Sequence, residues 1–239
     1  MRKVFFALLF VSCTKHGKLE DMNNVTFPEY KEITSRTTGS ITYKVLVIGN
    51  SITTHPIAED IGWKYESGMA ASRLENDYVH LLFDKLNKQK GNIILRYANY
   101  SFIERNPDQI DFNAKKIKDL KMFEPDVLIY QLGDNVSAEN AEIFKNTSVE
   151  LVKVIAPKKT IVLSPFFKTK VNFADMKKIA KQTNSTFIDM DAVSDNPLSK
   201  AKNDISNKNN ASIWKSEGIG LHPGDKGMEQ ISELILQAL

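Results

Sequence analysis

The chain contains a single cysteine, Cys13, among 239 residues, so no disulfide can form within it and its core must hold by packing. Its four histidines show no paired ligand spacing, and nothing in the pattern calls for a metal. No Gly-x-Gly-x-x-Gly follows the first strand, which argues against a dinucleotide enzyme; no cofactor is expected. Neither sign of charge dominates. Lys and Arg number 32 against 29 Asp and Glu, for a formal charge of +3. The charge is near +1 once the two positive charges of Arg2 and Lys3, in a segment expected to be removed, are set aside. With no basic stripe interleaved with aromatics, nucleic acid is not an expected partner. Internal repeats and low-complexity blocks are absent, and the apolar run near the start is too short to span a bilayer. What remains is 42% hydrophobic and 26% charged, the proportions of one globular domain with a sizeable core.

The opening residues read as an address. Arg2-Lys3 is a positive region, Val4–Val11 an apolar one, and Ser12-Cys13 follows. This order resembles a bacterial lipoprotein processing site, with Phe10 where Leu is usual. The resemblance implies a signal peptide over 1–13, a lipid on Cys13, and a place in the bacterial cell envelope, in the periplasm or at the outer membrane. A diacylglyceryl group with an amide-linked chain would supply the two signals that stable anchoring needs. The bland alternative is a cysteine without a role. Residues 14–40 are polar and aperiodic and read as a tether, within which Tyr30–Thr37 is able to pair as an edge strand. The folded domain is expected over 41–239.

From there strands and helices alternate. Strands are expected at Lys44–Ile48, Ile93–Ala98, Val127–Leu132, Thr160–Ser164 and Thr186–Met190. Helices should run from Asn76 or Asp77 to Lys90, from Asn106-Pro107 to Phe123, from Ser137 to Ile155, over Phe173–Gln182, and from Asp225 onward. Such alternation means right-handed crossovers and a parallel sheet covered on both faces, with the strand order open. The connection from Ile52 to about Glu75 is unusually long, which in a compact domain points to function or disorder. It holds His55-Pro56, Gly62-Trp63 and Gly68-Met69-Ala70-Ala71-Ser72. Trp63 reads either as a platform for a sugar ring or as packing; His55 either lines the substrate mouth or supports the loop.

Three distant stretches carry chemistry. Within Tyr43–Thr54 the strand run Lys44–Ile48 ends at Gly49-Asn50-Ser51, at the carboxyl end of the first parallel strand, where open α/β sheets place their ligands. Gln131–Val136 reads Q-L-G-D-N-V and Gly220–Met228 reads G-L-H-P-G-D-K-G-M. In this order and at these separations they resemble the SGNH, or GDSL-like, hydrolase family over about Lys44 to Leu239. The resemblance implies a flavodoxin-like three-layer sandwich with a five-stranded parallel sheet. It makes Ser51 the nucleophile, with Asn50 where the commoner pattern has Asp. His222 becomes the general base and Asn135 an oxyanion donor beside the Ser51 amide. The family's second block, where a Gly amide enters the hole, falls on Asn99–Arg105; this stretch has no glycine, and Ser101 or Glu104 would supply the amide.

The family's last block is Asp-x-x-His, yet three residues before His222 stands Ile219, which has no acceptor. Glu217 is the expected substitute; a backbone carbonyl, or Glu104 or Asp191 from another loop, is the alternative. The expected function is a serine esterase cleaving carboxylic esters, acyl groups such as acetyl on carbohydrate among them. Two other readings compete: a degenerate relative that binds glycan after losing the acid, and a small-molecule binder without ester chemistry. The last leaves the coincidence of Ser51, Asn135 and His222 unexplained.

Overall fold

The computed structural model describes residues 28–35 and 39–239; Cys13, the signal peptide and most of the tether lie outside the described residues. Five strands run parallel: β2 (Tyr43–Gly49), β3 (Ile93–Asn99), β4 (Val127–Gln131), β5 (Lys159–Leu163) and β6 (Thr186–Ile188). Their order, β3-β2-β4-β5-β6, is the flavodoxin-like one. A sixth strand, β1 (Lys31–Thr34), pairs antiparallel with β3 at the edge, so the sheet has six strands rather than five. It lies within the stretch read as tether, where the sequence offered an edge strand. The reason is local: alternation over four residues suffices for an edge, and Arg96 of β3 holds Glu32 at 2.6 Å. The folded unit therefore begins before residue 41.

Side-chain alternation along β2 divides the interior in two. Val45 and Val47 enter one cluster with Tyr78, Leu82 and Leu86 of α1 (Tyr78–Lys90) and Met228, Ile231 and Ile235 of the last helix. Leu46 and Ile48 enter the other, against Ile117 and Leu120 of α3 (Lys115–Met122), Phe144 and Leu151 of α4 (Ala141–Ile155), and Met176 and Ile179 of α5 (Lys170–Gln182). Residues of period two facing opposite layers are what a buried parallel strand requires. Between β3 and α3 lies the short α2 (Ser101–Arg105); beyond β6 come α6 (Asp191–Ser194), α7 (Lys208–Ala211), α8 (Glu217–Leu221) and the last helix, α9 (Asp225–Gln237). No helix among the described residues is long and apolar enough to cross a membrane.

Two helices start later than their spacing suggested. Pro107–Gln109 makes only a 3-10 turn, and Asp111 Oδ1 then accepts from the Asn113 amide at 2.8 Å, a local turn that competes with helix until Lys115. Ser137 likewise closes a turn onto the Asn140 amide, and α4 begins at Ala141.

The long connection after Ser51 is folded down as a third small core. Trp63 is fully buried with Met69, Ala70, Ala201 and Ile219. Its far end clamps α9: Asp225 accepts from the Ser72 amide and hydroxyl at 2.7 and 2.6 Å and from Asn76 Nδ2 at 2.7 Å. A carboxylate at the first turn of a helix is favoured there in any case. The same loop returns to the turn after β2, where Met69 N donates to the Ser51 carbonyl at 2.8 Å. This connection joins the beginning and the end of the domain.

Candidate active site

β2 ends at Gly49, where a Cβ would lie 1.8 Å from Thr53 Oγ1 and 2.9 Å from Gln131 Oε1; only glycine lets the turn fold back so closely. The Asn50 carbonyl accepts from the Thr53 and Thr54 amides, and Asn50 Oδ1 accepts from Ile52 N at 3.1 Å. Ser51 is thereby presented at the carboxyl end of the sheet, between β3 and β4, at the point where the strand order reverses.

His222 meets it from 171 positions away, with Nε2 3.0 Å from Ser51 Oγ. The other ring nitrogen, Nδ1, lies 2.8 Å from the Gly218 carbonyl. A carbonyl only accepts, so Nδ1 carries the proton and Nε2 is left with the lone pair that a general base needs. The geometry comes from α8: His222 caps this five-residue helix, and its ring takes up the Gly218 carbonyl at the open helix end. The Ala201 amide holds the His222 carbonyl at 2.9 Å, and the Phe167 ring meets the imidazole edge to face at 4.9 Å.

Glu217, expected to orient the ring, does not reach it. Its side chain is exposed at the start of α8, and the backbone carbonyl one residue later orients the imidazole instead. Asp191, another candidate, is paired with Lys168. Ile219 stands where an acid would be because its side chain, 1% exposed, belongs to the core under Trp63. Glu217→Gln should therefore leave kcat within about twofold, as surface substitutions away from a site do. Ile219→Asp should not restore a triad; it buries a carboxylate in an apolar cluster and should cost more than about 2 kcal/mol of stability. Steady-state kinetics and urea midpoints on the two variants check both statements.

Burial holds the His222 pKa down, to about 4, with the Gly218 carbonyl opposing the shift and the nearby His55 adding to it. A base whose pKa is lowered stays neutral to lower pH. The acid limb that reports His222 in kcat/KM for an ester should accordingly lie near pH 4, not near the 6.5 of a free imidazole. A rate profile from about pH 3.5 to about pH 8 measures it.

Beneath the serine lies a pair of acids that sequence reasoning had not put together. Glu104 is fully buried, and its carboxylate accepts from Gly133 N at 2.6 Å, Asn135 Nδ2 at 2.7 Å, Asn135 N at 3.2 Å and Asn50 Nδ2 at 3.2 Å. Asp134 accepts from Asn50 Nδ2 at 2.8 Å, Gln131 Nε2 at 3.0 Å and Phe167 N at 2.8 Å. Asn50 thus bridges both carboxylates with one amide. An ionised Asp in its place would have no hydrogen to donate to either carboxylate, so Gly-Asn-Ser suits this site where Gly-Asp-Ser is commoner. Gly133, at φ +116, lets the chain turn so that its own amide points at Glu104.

The second block does not supply the amides expected of it. The Ser101 amide is taken by Asn99 Oδ1 at 3.0 Å, and Glu104 sits inside α2, where a backbone N–H points back along the helix. Glu104 contributes its side chain instead. One hydrogen of Asn135 Nδ2 is fixed by that carboxylate, and the second remains for an oxyanion, because an amide nitrogen has two. The Ser51 amide has no acceptor among the described residues and is free to donate beside it.

Burial first, and Asp134 second, push the Glu104 pKa up to about 7 from 4.5. A raised folded-state pKa means that the folded protein binds this proton more tightly than the unfolded chain. Its stabilisation is complete below about pH 4.5 and is lost as pH rises through about 7. The urea midpoint should therefore fall more between about pH 5 and about pH 8 in the wild type than in Glu104→Gln.

The remaining expectations separate. Trp63 has no exposed face and cannot serve as a platform for a sugar; it is the packing residue of its loop. His55 is half-buried in the wall of a cleft beside the site, with Nδ1 2.7 Å from the Pro56 carbonyl. Trp214, not singled out from sequence, is half-buried and lines a separate cleft of about 520 Å³ with Glu217, Gly220 and Leu221.

Two solved structures have the same architecture. One is an α/β hydrolase enzyme from the metagenome of Lake Arreo, Spain, 20% identical, with a TM-score of 0.55 over 84% of this chain and 96% of that one. The other is a Parabacteroides merdae protein assigned as a GDSL-like lipase, 16% identical, with a TM-score of 0.51 over 84% and 98%. At such identities the likeness carries the fold, and the fold is the one the three blocks implied. No family model matches the chain, and no curated protein does.

Proposed function

We propose that the chain is a serine esterase that hydrolyses carboxylic esters through a Ser51–His222 dyad. The observation that carries the reading is the 3.0 Å contact between Ser51 Oγ and His222 Nε2, with the ring held in the base tautomer by the Gly218 carbonyl. Ser51 Oγ attacks the ester carbonyl while His222 Nε2 takes its proton; the developing oxyanion is met by the Ser51 and Asn135 donors. His222 then returns the proton to the departing alcohol, and water repeats the sequence to release the acid. Esters suit a dyad better than amides. The imidazolium is supported here by a carbonyl dipole rather than a carboxylate, and an alkoxide leaves more readily than an amine.

An O-acylated carbohydrate remains one substrate class within this proposal, now with Trp214 rather than Trp63 as the ring that would meet a sugar. Lipidation of Cys13 would set the enzyme at the cell envelope; Cys13→Ser should then move the protein from the membrane to the soluble fraction. Release of p-nitrophenol from p-nitrophenyl acetate, together with labelling of the intact protein by a fluorophosphonate, tests the esterase reading. Turnover and one phosphonyl adduct on Ser51 are expected. Absence of both would favour the degenerate glycan-binding protein.

A further inference from the structure

Beside the dyad opens a cleft of about 430 Å³, walled by Thr54, His55, Asn99, Ser101, Phe102 and Arg105. These residues follow directly on β2 and β3, and the two strand ends are tied where Tyr100 N donates to the Gly49 carbonyl at 2.6 Å. Thr54 and His55 of its wall lie three and four residues beyond Ser51. His55 marks the join: a charge on it lowers the His222 pKa, and its own pKa, lowered first by burial, is lowered also by Arg105.

The charges of the cleft are settled except for one. Glu66 is paired with Lys31 at 3.1 Å, and Glu29 with Lys116 at 2.5 Å. His55 donates Nδ1–H to the Pro56 carbonyl and is kept neutral by burial. Arg105 makes no ion pair among the described residues. The Arg105 side chain is exposed, and its Nη2 donates to the hydroxyl of the buried Ser101, whose amide is held in turn by Asn99 Oδ1. The neighbouring carboxylate of Glu104 is turned inward onto Gly133 and Asn135 and offers Arg105 nothing. A guanidinium tethered to Ser101, with no counterion among the described residues and set in a cleft with one aromatic wall, suits a planar anion.

We propose that this cleft is a substrate subsite and that Arg105 binds a carboxylate carried by the ester. The proposal rests on the esterase reading above and adds a preference for anionic esters. The position of the cleft admits the carboxylate on either the alcohol or the acyl part. His55 Nε2, left as an acceptor, and Asn99 line the path between that anion and the ester bond.

Matched esters test it. 4-Acetoxybenzoate carries the charge on the alcohol side and the 4-methylumbelliferyl hemiester of glutaric acid on the acyl side; their methyl esters are the neutral counterparts. The wild type should prefer at least one charged ester over its neutral counterpart by tenfold or more in kcat/KM. Arg105→Gln should reduce that ratio by about 10- to 100-fold, chiefly through KM, the range expected for loss of a hydrogen bond to a charged group. Arg105→Lys should restore part of it. Because the ratio is taken within each variant, a general loss of activity cancels. Binding of the same four compounds to Ser51→Ala, followed by calorimetry, gives a readout that needs no catalysis. Failure of the esterase reading would appear as absent turnover with the anion preference in binding intact. Equal affinities for the charged and neutral members of both pairs, or a preference that survives Arg105→Gln, would overturn the subsite.

Discussion

Replacing His222 by Ala should lower kcat on an aryl ester by roughly 10⁴–10⁶, with Ser51→Ala costing about as much, and the double variant should lose little more than either. The non-additivity is the informative part. Ser51 Oγ is a poor nucleophile at neutral pH, and its reactivity depends on transferring the proton across the 3.0 Å contact as the bond to carbon forms. Once either partner is gone the other has no function, and what remains is binding and the oxyanion donors. Circular dichroism and the urea midpoint must stay near wild-type values for the comparison to stand. Losses that multiplied in the double variant would mean that the two residues act separately and that their contact is not a proton path.

Asn135→Ala should lower kcat by about 10²–10³ with little change in KM, since the lost hydrogen bond forms in full only when negative charge reaches the carbonyl oxygen. The carboxylate behind it allows a sharper experiment. Glu104 holds one hydrogen of Asn135 Nδ2 at 2.7 Å and so fixes where the other points. Glu104→Gln presents either an oxygen or an amide to Asn135. In the second case two NH₂ groups face each other, and Asn135 must turn its oxygen toward the substituted side chain and, with it, take its donor away from the hole. Most of the Asn135→Ala loss in kcat should then appear in Glu104→Gln, again with KM nearly unchanged. A variant that folds and turns over at the wild-type rate would show that Asn135 is positioned by its own backbone and that the carboxylate serves only the turn.

The residues proposed to meet the substrate were legible because each follows a strand or precedes a helix and belongs to a short block: Ser51 after β2, Asn135 after β4, His222 before α9. The residues that position them were not, for reasons that differ. Glu217 was chosen by its spacing to His222, but a carboxylate on an exposed turn has water to solvate it and no reason to cross to the ring. Sequence cannot show that a carbonyl at the end of a short helix is already unpaired and within reach. Trp63 in a long loop suggested an exposed ring, whereas that loop had enough apolar residues of its own to build a small core on Ile219 and Ala201. Glu104 was read for its amide because the family block places an amide there; only the fold shows that its side chain reaches Gly133. The flavodoxin-like order came with the resemblance, while the sixth strand falls in Tyr30–Thr37, a stretch able to pair as an edge but too polar and aperiodic to read as part of the domain.

The clamp between the Ile52–Glu75 connection and Asp225 has a temporal side. Ser51 belongs to one of the first strands, but its base is 171 positions further on and is placed only when α9 docks against α1 and Ser72 meets Asp225. Closing so long a chain segment carries a conformational cost that local contacts cannot cover, and contacts of such separation form late in folding. A growing chain that has completed β2 through β6 therefore displays its nucleophile with nothing to deprotonate it. On the proposed mechanism, catalytic competence waits for the docking of the last helix, and a chain still emerging from a ribosome should be inert toward esters.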